Sequence, residues 1–327
     1  MISNYRFHHG QTVWVRNLGE ILKTLDEDSK LNGLPFMPEM IRYCGHSFRV
    51  SRLASKTCVE GCGIRHMKGT VFLEDLRCDG SSHDGCERGC LLFWKEAWLS
   101  DQPPTQSLDL SVESAVVADA QLKTRQGDRY YCQSTRLATA TSKLPGGKLM
   151  QYLGDIWLRE ISISQFMRLA MNTVVNRIAH LTGLKIGQQV RGHLIKTDTV
   201  ALNLKPGELV EIKSREEIES TLNVEGKNRG LLFERGMLDY CGKRYRVAGQ
   251  LKKIILEETG QMISLKNTVI LEGVTCQTTC PRANLLYWRE IWLKRVAPTI
   301  DNEEKPPTLE TFIKHKTSDI SQDNNKS

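Results

Sequence analysis

The feature that most constrains this chain is an internal duplication. Gly10–Val50 aligns without a gap onto Gly207–Val247, with about 16 identities in 41 positions where chance supplies roughly two or three. The matched residues include Val13 with Val210, Glu20-Ile21 with Glu217-Ile218, Phe36 with Phe233, Met40 with Met237, and Tyr43-Cys44-Gly45 with Tyr240-Cys241-Gly242. The likeness resumes further on, where VFLEDLRCDGSSHDGCERGCLLFWKEAWL (71–99) is echoed by VILEGVTCQTTCPRANLLYWREIWL (269–293). Two copies are too few for a solenoid, which buries its core between stacked neighbours. Each copy is long enough to enclose a small core of its own.

The local pattern within a copy favours short strands. Gln11 to Arg16 alternates, with Val13 and Val15 on one face. Asn17 opens a short helix over Leu18–Leu25. Leu34-Pro35-Phe36-Met37-Pro38 cannot be a helix interior, because its prolines lack the donor and fix the backbone. Strands follow at Ser47–Leu53, Gly69–Leu76 and Leu91–Leu99, the last with Trp94 and Trp98 at a spacing that leaves a helix open. The second copy repeats this order. The expected class is mainly β with α: two small SH3-like β-barrels joined by a helical middle segment. The expected organisation is a first repeat over 1–99, a middle segment over 100–204, a second repeat over 205–296 and a polar tail over 297–327. Within the middle segment, Ser162–Thr182 carries an unbroken helical apolar stripe, expected to pack onto the barrels or to meet a partner helix.

Cysteine is the composition feature that needs explaining. The chain has 10, and six of them fall between Cys44 and Cys90. Cys58/Cys62 and Cys86/Cys90 each have a spacing common to zinc knuckles. Cys78, Cys86 and Cys90 share one loop rich in glycine and small polar residues, and Cys58 is the fourth thiolate that would close a tetrahedral shell. The expected site is therefore zinc, or iron, on Cys58, Cys78, Cys86 and Cys90, with His83 and Cys62 as alternates. The second copy keeps Cys276 and Cys280, but has Asn284 in place of Cys90 and no cysteine matching Cys58 or Cys62. Metal is thus expected in the first copy only.

Other chemistries find little support. Nucleophilic thiol catalysis needs a base and an orienting group that no motif places beside Cys62 or Cys132. Phosphate-binding glycine loops and zinc-protease motifs are absent. Glu96 and Glu290, set between paired tryptophans, are expected to bond a neighbouring arginine. The tryptophans are expected to fill the cores, with a surface groove as the other reading. Net charge of +7 permits contact with nucleic acid without favouring it. No uncharged apolar run is long enough to span a membrane, and no leader is evident, so a cytoplasmic protein is expected.

At GLPFMPEMIRYCG, LRCDGSSHDGCERGCLLFWKEAWL and LLYWREIWLKRV the chain resembles an uncharacterised bacterial family with tandem SH3-like halves. The likeness covers roughly 10–99 and 205–296. It implies no activity; its C…DG-x-x-H-x-x-C-x-x-x-C loop implies the same ligands at Cys78, Cys86 and Cys90. It also implies a setting near polysaccharide biosynthesis. The functional expectation is a binding or scaffold protein, leaning away from an enzyme, with a protein or glycan partner and a structural metal. The alternative is an enzyme or accessory subunit that modifies glycans or peptides at a cleft between the repeats.

Overall fold

A computed structural model describes residues 5–104, 122–144, 167, 171, 189–276 and 282–296. The chain divides into two compact units. The first comprises Met1–Ile186 with Lys253–Ser264 and Gln277–Asn284; the second comprises Gly187–Lys252, Leu265–Cys276 and Leu285–Ser327.

The first unit is built on a curled five-stranded antiparallel sheet. Its strands are β1 (Thr12–Val15), β4 (Ser47–Leu53), β7 (Thr70–Arg77), β8 (Leu91–Lys95) and β9 (Leu99–Ser100), in the order β8-β7-β4-β1-β9. Two-stranded hairpins flank it: β2 (Lys30–Leu31) with β3 (Leu34–Pro35), and β5 (Lys56–Val59) with β6 (Gly63–His66). Alternation in β1 puts Val13 and Val15 in the core, as their spacing predicts. Helix α1 is short, Leu18–Leu22; the Glu20 carboxylate accepts the Asn17 N–H at 3.1 Å and so closes its first turn. The β2–β3 turn is Asn32-Gly33, both at positive φ, the backbone that a tight right-twisted hairpin needs.

The last element differs from the continuous strand expected over Leu91–Leu99. It breaks after Lys95 into a 3-10 turn, Glu96–Trp98, before β9. The break lets Trp94 and Trp98 both turn inward, where a flat strand would hold both on one face without the change of direction into β9. Trp94 and Trp98 are fully buried, and Phe36 meets Trp98 edge-on at 5.3 Å. The Trp98 indole N–H donates to Thr24 Oγ1 at 3.0 Å.

The second unit repeats this plan with β12 (Leu209–Ile212), β15 (Arg244–Gln250), β18 (Thr268–Thr275), β19 (Leu285–Arg289) and β20 (Leu293–Arg295), ordered β19-β18-β15-β12-β20. Its β13 (Lys227–Asn228) and β14 (Leu231–Leu232) form the counterpart of the β2–β3 hairpin. Its short helix, Arg215–Glu219, has a full capping box between Ser214 and Glu217. Phe233 meets Trp292 at 5.3 Å and the Trp292 N–H donates to Thr221 Oγ1 at 3.0 Å, so the identities between copies are core contacts, reproduced bond for bond. Bulges recur as well: one positive-φ residue is needed in β7 and β18, and it is Asp75 in the first copy and Gly273 in the second.

Glu96 and Glu290 bond backbone rather than the expected arginine. Glu96 accepts the N–H groups of Arg6 at 2.8 Å and Phe7 at 3.4 Å. Glu290 accepts those of Leu202, Asn203 and Leu204 at 2.5, 3.0 and 3.0 Å. Each carboxylate ties the chain entering its own sheet to the turn that closes it. The reason is the 3-10 break, which swings the glutamate off the strand face toward that incoming segment.

The middle segment adds β10 (Arg125–Gln126), β11 (Arg129–Tyr130) and helix α2 (Gln133–Ala140) to the first unit; the strand ends at Tyr130, and Cys132 caps the helix. Buried Gln133 covers the open edge at β8: its Oε1 accepts the Phe93 N–H at 2.9 Å, and its Nε2 donates to the Phe93 and Pro35 carbonyls at 2.9 and 3.0 Å. Most of Ser162–Thr182 lies outside the described residues, as do Leu144-Pro145-Gly146-Gly147 beyond Leu144, most of Ala115–Leu122, Cys280 and the tail. Met167 and Met171 are helical and 58% and 61% exposed. Among the described residues no helix is long and apolar enough to cross a membrane.

Candidate functional site

The site grows from the loop between β7 and β8. Gly80 takes positive φ, and a Cβ there would run into the Cys86 backbone. The loop closes on itself through the His83 and Gly85 N–H groups, both bonded to the Gly80 carbonyl at 2.9 Å. One strand-like bond continues the ladder past the end of β7: the Cys78 N–H donates to the Cys90 carbonyl at 2.8 Å. The loop then meets β16 (Lys253–Ile255), the first strand of a hairpin with β17 (Met262–Ser264) that belongs to the same unit. There the Glu87 N–H bonds the Lys253 carbonyl at 3.0 Å, and the Ile255 N–H points at Cys86 Sγ at 3.3 Å.

This arrangement encloses a cavity of ≈ 30 Å³, bordered by Cys78, Cys86, Cys90, Cys132, Arg282 and Phe93 among others. That is space for about two water-sized groups. Cys132 and Ser134, also on its wall, stand at the N-terminus of α2, the positive end of that helix. Burial pushes the Cys132 thiol up to about 12 and raises those of Cys78 and Cys86 above their ordinary value. These three are held as neutral thiols. Cys44, away from the cavity, is buried and likewise pushed up to about 12, as expected of a small hydrophobe.

His83 borders the cavity but is committed elsewhere. Its Nδ1 lies 2.6 Å from Glu39 Oε1 and its Nε2 is 3.0 Å from the Tyr131 carbonyl. A carbonyl only accepts, so Nε2 carries a proton. Burial works against the charged imidazolium, yet the Glu39 bond and charge, with the Tyr131 carbonyl, hold its pKa above the ordinary value. With both nitrogens engaged, His83 is not a base for a neighbouring thiol.

A second buried network borders the same cavity. The Arg282 guanidinium donates to Glu257 at 2.8 Å and to the Cys58 carbonyl at 2.5 Å. Ser134 Oγ donates to Glu257 at 3.0 Å, and so does the Glu60 N–H at 2.9 Å. Arg88 reaches Glu257 at 3.5 Å and Glu60 at 2.5 Å. Two buried guanidiniums thus share one buried carboxylate, and Glu60, the other acid, is 45% exposed. Glu60 and Glu257 are equivalent positions of the two copies, at the tips of equivalent hairpins.

The expected zinc or iron site is not supported. Among the described residues no group of three or more His, Cys, Asp or Glu side chains is placed to hold a metal ion. Cys78, Cys86 and Cys90 do come to one cavity, with His83 beside them, but Cys58 does not join them. Strand β5 alternates buried Thr57 and Val59 with an exposed Cys58, and Cys62 is exposed in the following turn. Only the Cys58 carbonyl faces inward, and Arg282 takes it. His83, the other alternate, is spent on Glu39 and Tyr131. The functional expectation of a scaffold stabilised by a first-copy metal falls with that site.

Sequence reasoning missed Cys132, Glu39, Arg88, Glu257 and Arg282. Glu39 had a readable signal: the second copy has Gly236 at its position, so it belongs with Cys90 and His83 among the residues that do not recur. Among surface bases, Arg295, Arg244 and Lys294 are paired with Glu208, Glu211 and Glu217. This is the mixed surface expected from composition.

A scan against protein-family models, a search of curated proteins and a search of solved structures each find no match to this chain. The resemblance to a bacterial family is therefore without support. What stands is a cysteine-rich chain with two similar curled sheets.

Proposed function

We propose that the first copy is a binding module for a small anion with a short apolar end, received in the thiol-lined cavity. The observation that carries this reading is where the two copies diverge. Positions that recur, such as Phe36, Thr24 and Trp98, build the core. Residues without a counterpart in the second copy, Cys90 and His83 with the inserted Cys132 and Ser134, border one cavity.

The chemistry of the wall selects the ligand class. Gln133, His83 and Ser134 already have partners, so the wall offers a ligand hydrocarbon and thiol surface. The positive contributions are Arg282, Arg88 and the start of α2, against the buried carboxylate of Glu257, while that of Glu39 is bonded by His83. A short alkyl carboxylate matches both properties. In this proposal the two sheets are SH3-like barrels, a reading supported by five strands in each with a 3-10 turn before the last. The organisation as repeat, middle segment, repeat and tail is part of the same proposal.

The test is thermal unfolding of the full chain with butyrate, in the wild type and in Cys132→Leu, which fills the cavity. Unfolding without butyrate verifies that the variant folds. Butyrate is expected to raise the midpoint of the wild type and leave the variant unchanged; an equal response in both would sink the reading.

A further inference from the structure

The four cavity thiols are not equivalent, and the ladder between β7 and β8 separates them. Arg77 pairs with Leu91, so the next antiparallel pair is Cys78 with Cys90, and the 2.8 Å bond from the Cys78 N–H to the Cys90 carbonyl continues that register. Residues directly opposed in an antiparallel pair have Cα atoms about 4.5–5.5 Å apart and side chains on one face. A disulfide spans Cα separations of about 4.4–6.8 Å. Both side chains border the same cavity, and both are partly exposed. Cys86 is tied by its sulfur to the Ile255 N–H, and Cys132 is buried at the start of α2. Neither is opposed to another cysteine in the register.

We propose that Cys78 and Cys90 are a cross-strand dithiol that exchanges with low-molecular-weight disulfides, forming a Cys78–Cys90 bond that staples the ends of the loop. The second copy supplies the contrast within one molecule. Thr275 pairs with Leu285, so Cys276 stands opposite Asn284. The site is independent of the ligand reading, since the ladder alone defines it.

The chemistry balances as two exchanges. The Cys90 thiolate attacks one sulfur of RSSR, forming a Cys90–S–S–R mixed disulfide and releasing RS⁻. Cys78 then gives up its proton and displaces the second RS⁻ at Cys90 Sγ. The two protein thiol protons end on two RSH; the dithiol is oxidised and the small disulfide reduced. Cys90 is the attacking group because burial raises the Cys78 thiol.

The test uses the full chain with Cys58→Ser and Cys62→Ser, so that the exposed hairpin thiols do not compete. The protein is treated with glutathione disulfide, alkylated and mapped with trypsin. Cleavage after Arg77 and Arg88 puts Cys78 and Cys90 on different peptides. The expected result is loss of two alkylatable thiols, a mass lower by two hydrogens, and one cross-linked pair joining those peptides. Reduction with thiol restores both groups. Cys90→Asn, which copies the second repeat, is expected to leave Cys78 alkylated. A bond from either residue to Cys86 or Cys132, glutathione adducts alone, or full alkylation of Cys78 and Cys90 in the wild-type loop would overturn the proposal.

Discussion

Glu39 and His83 form a buried charged pair in the first copy, each side chain 1% exposed, and removing one partner tests what it contributes. Glu39→Leu leaves His83 without its 2.6 Å partner and the Ser82 N–H without the acceptor at 3.2 Å. Breaking a buried pair from one side costs about 3–5 kcal/mol, because the remaining group stays desolvated. His83→Phe should cost about as much, since Glu39 Oε2 is already buried with no hydrogen-bond partner and Oε1 would lose its strongest one. The double variant removes both charges together and should cost no more than either single change, a coupling on the order of 3 kcal/mol. The second copy has Gly236 at the position of Glu39, so its sheet does not require the pair. The sign with pH follows from the raised His83 value. The pair's contribution is full below the unfolded histidine value, about 6.5, and is lost as pH rises through the higher folded value. Urea unfolding followed by tryptophan fluorescence, from pH 6 upward, measures both effects. Costs that simply add in the double variant, or a wild-type pH dependence that survives in Glu39→Leu, would refute the reasoning.

Three further outcomes follow from the packing. Trp98→Ala should destabilise the first unit by about 3–5 kcal/mol and Trp292→Ala the second by a similar amount, each shifting a separate transition in urea, because the two tryptophans sit in separate cores. Burial pushes Lys95 down to about 8 from 10.5, with the Lys68 carbonyl at 3.1 Å and no acid bonded to it, so Lys95→Met should gain about 1–2 kcal/mol at pH 7. A depressed lysine costs stability below its folded value, so the wild type should gain stability between about pH 8 and 10.5 and Lys95→Met should not, as read from unfolding midpoints across that range. Gly80→Ala should cost at least about 1–2 kcal/mol, from positive φ and collision with the Cys86 backbone, and should open the loop to amide hydrogen exchange; unchanged exchange at Gly85 and Cys86 would contradict the loop geometry.

Much of the fold is readable from the duplication, because a residue kept in both copies was kept by packing. Val13, Phe36, Met40, Trp94 and Trp98 could all be assigned inward on that ground, and all are buried. The 3-10 break at Glu96–Trp98 was harder, since a tryptophan spacing of four fits a helix, a strand or a turn between two strands. The site was half readable. The shared loop groups Cys78, Cys86 and Cys90, which do border one cavity, but Cys58, offered by the preceding loop as the fourth ligand, faces outward. Spacing carries no information on which face of β5 a side chain takes; the neighbours Thr57 and Val59 decide that by filling the interior. Glu257 and Arg282 are distant in sequence from the loop, and their approach depends on β16 leaving the second copy's own unit. No local pattern reports such a crossing.

The central claim is that binding belongs to the first copy's cavity and that the second copy keeps the fold without it. Amide chemical-shift mapping of the isotope-labelled full chain, titrated with butyrate, tests this most directly. Saturable shifts are expected at Gly89, Cys90, Phe93, Ser134 and Ile255, with none at the equivalent β18–β19 end around Thr275 and Leu285. Shifts at both places, or shifts scattered over exposed lysines and arginines, would contradict it.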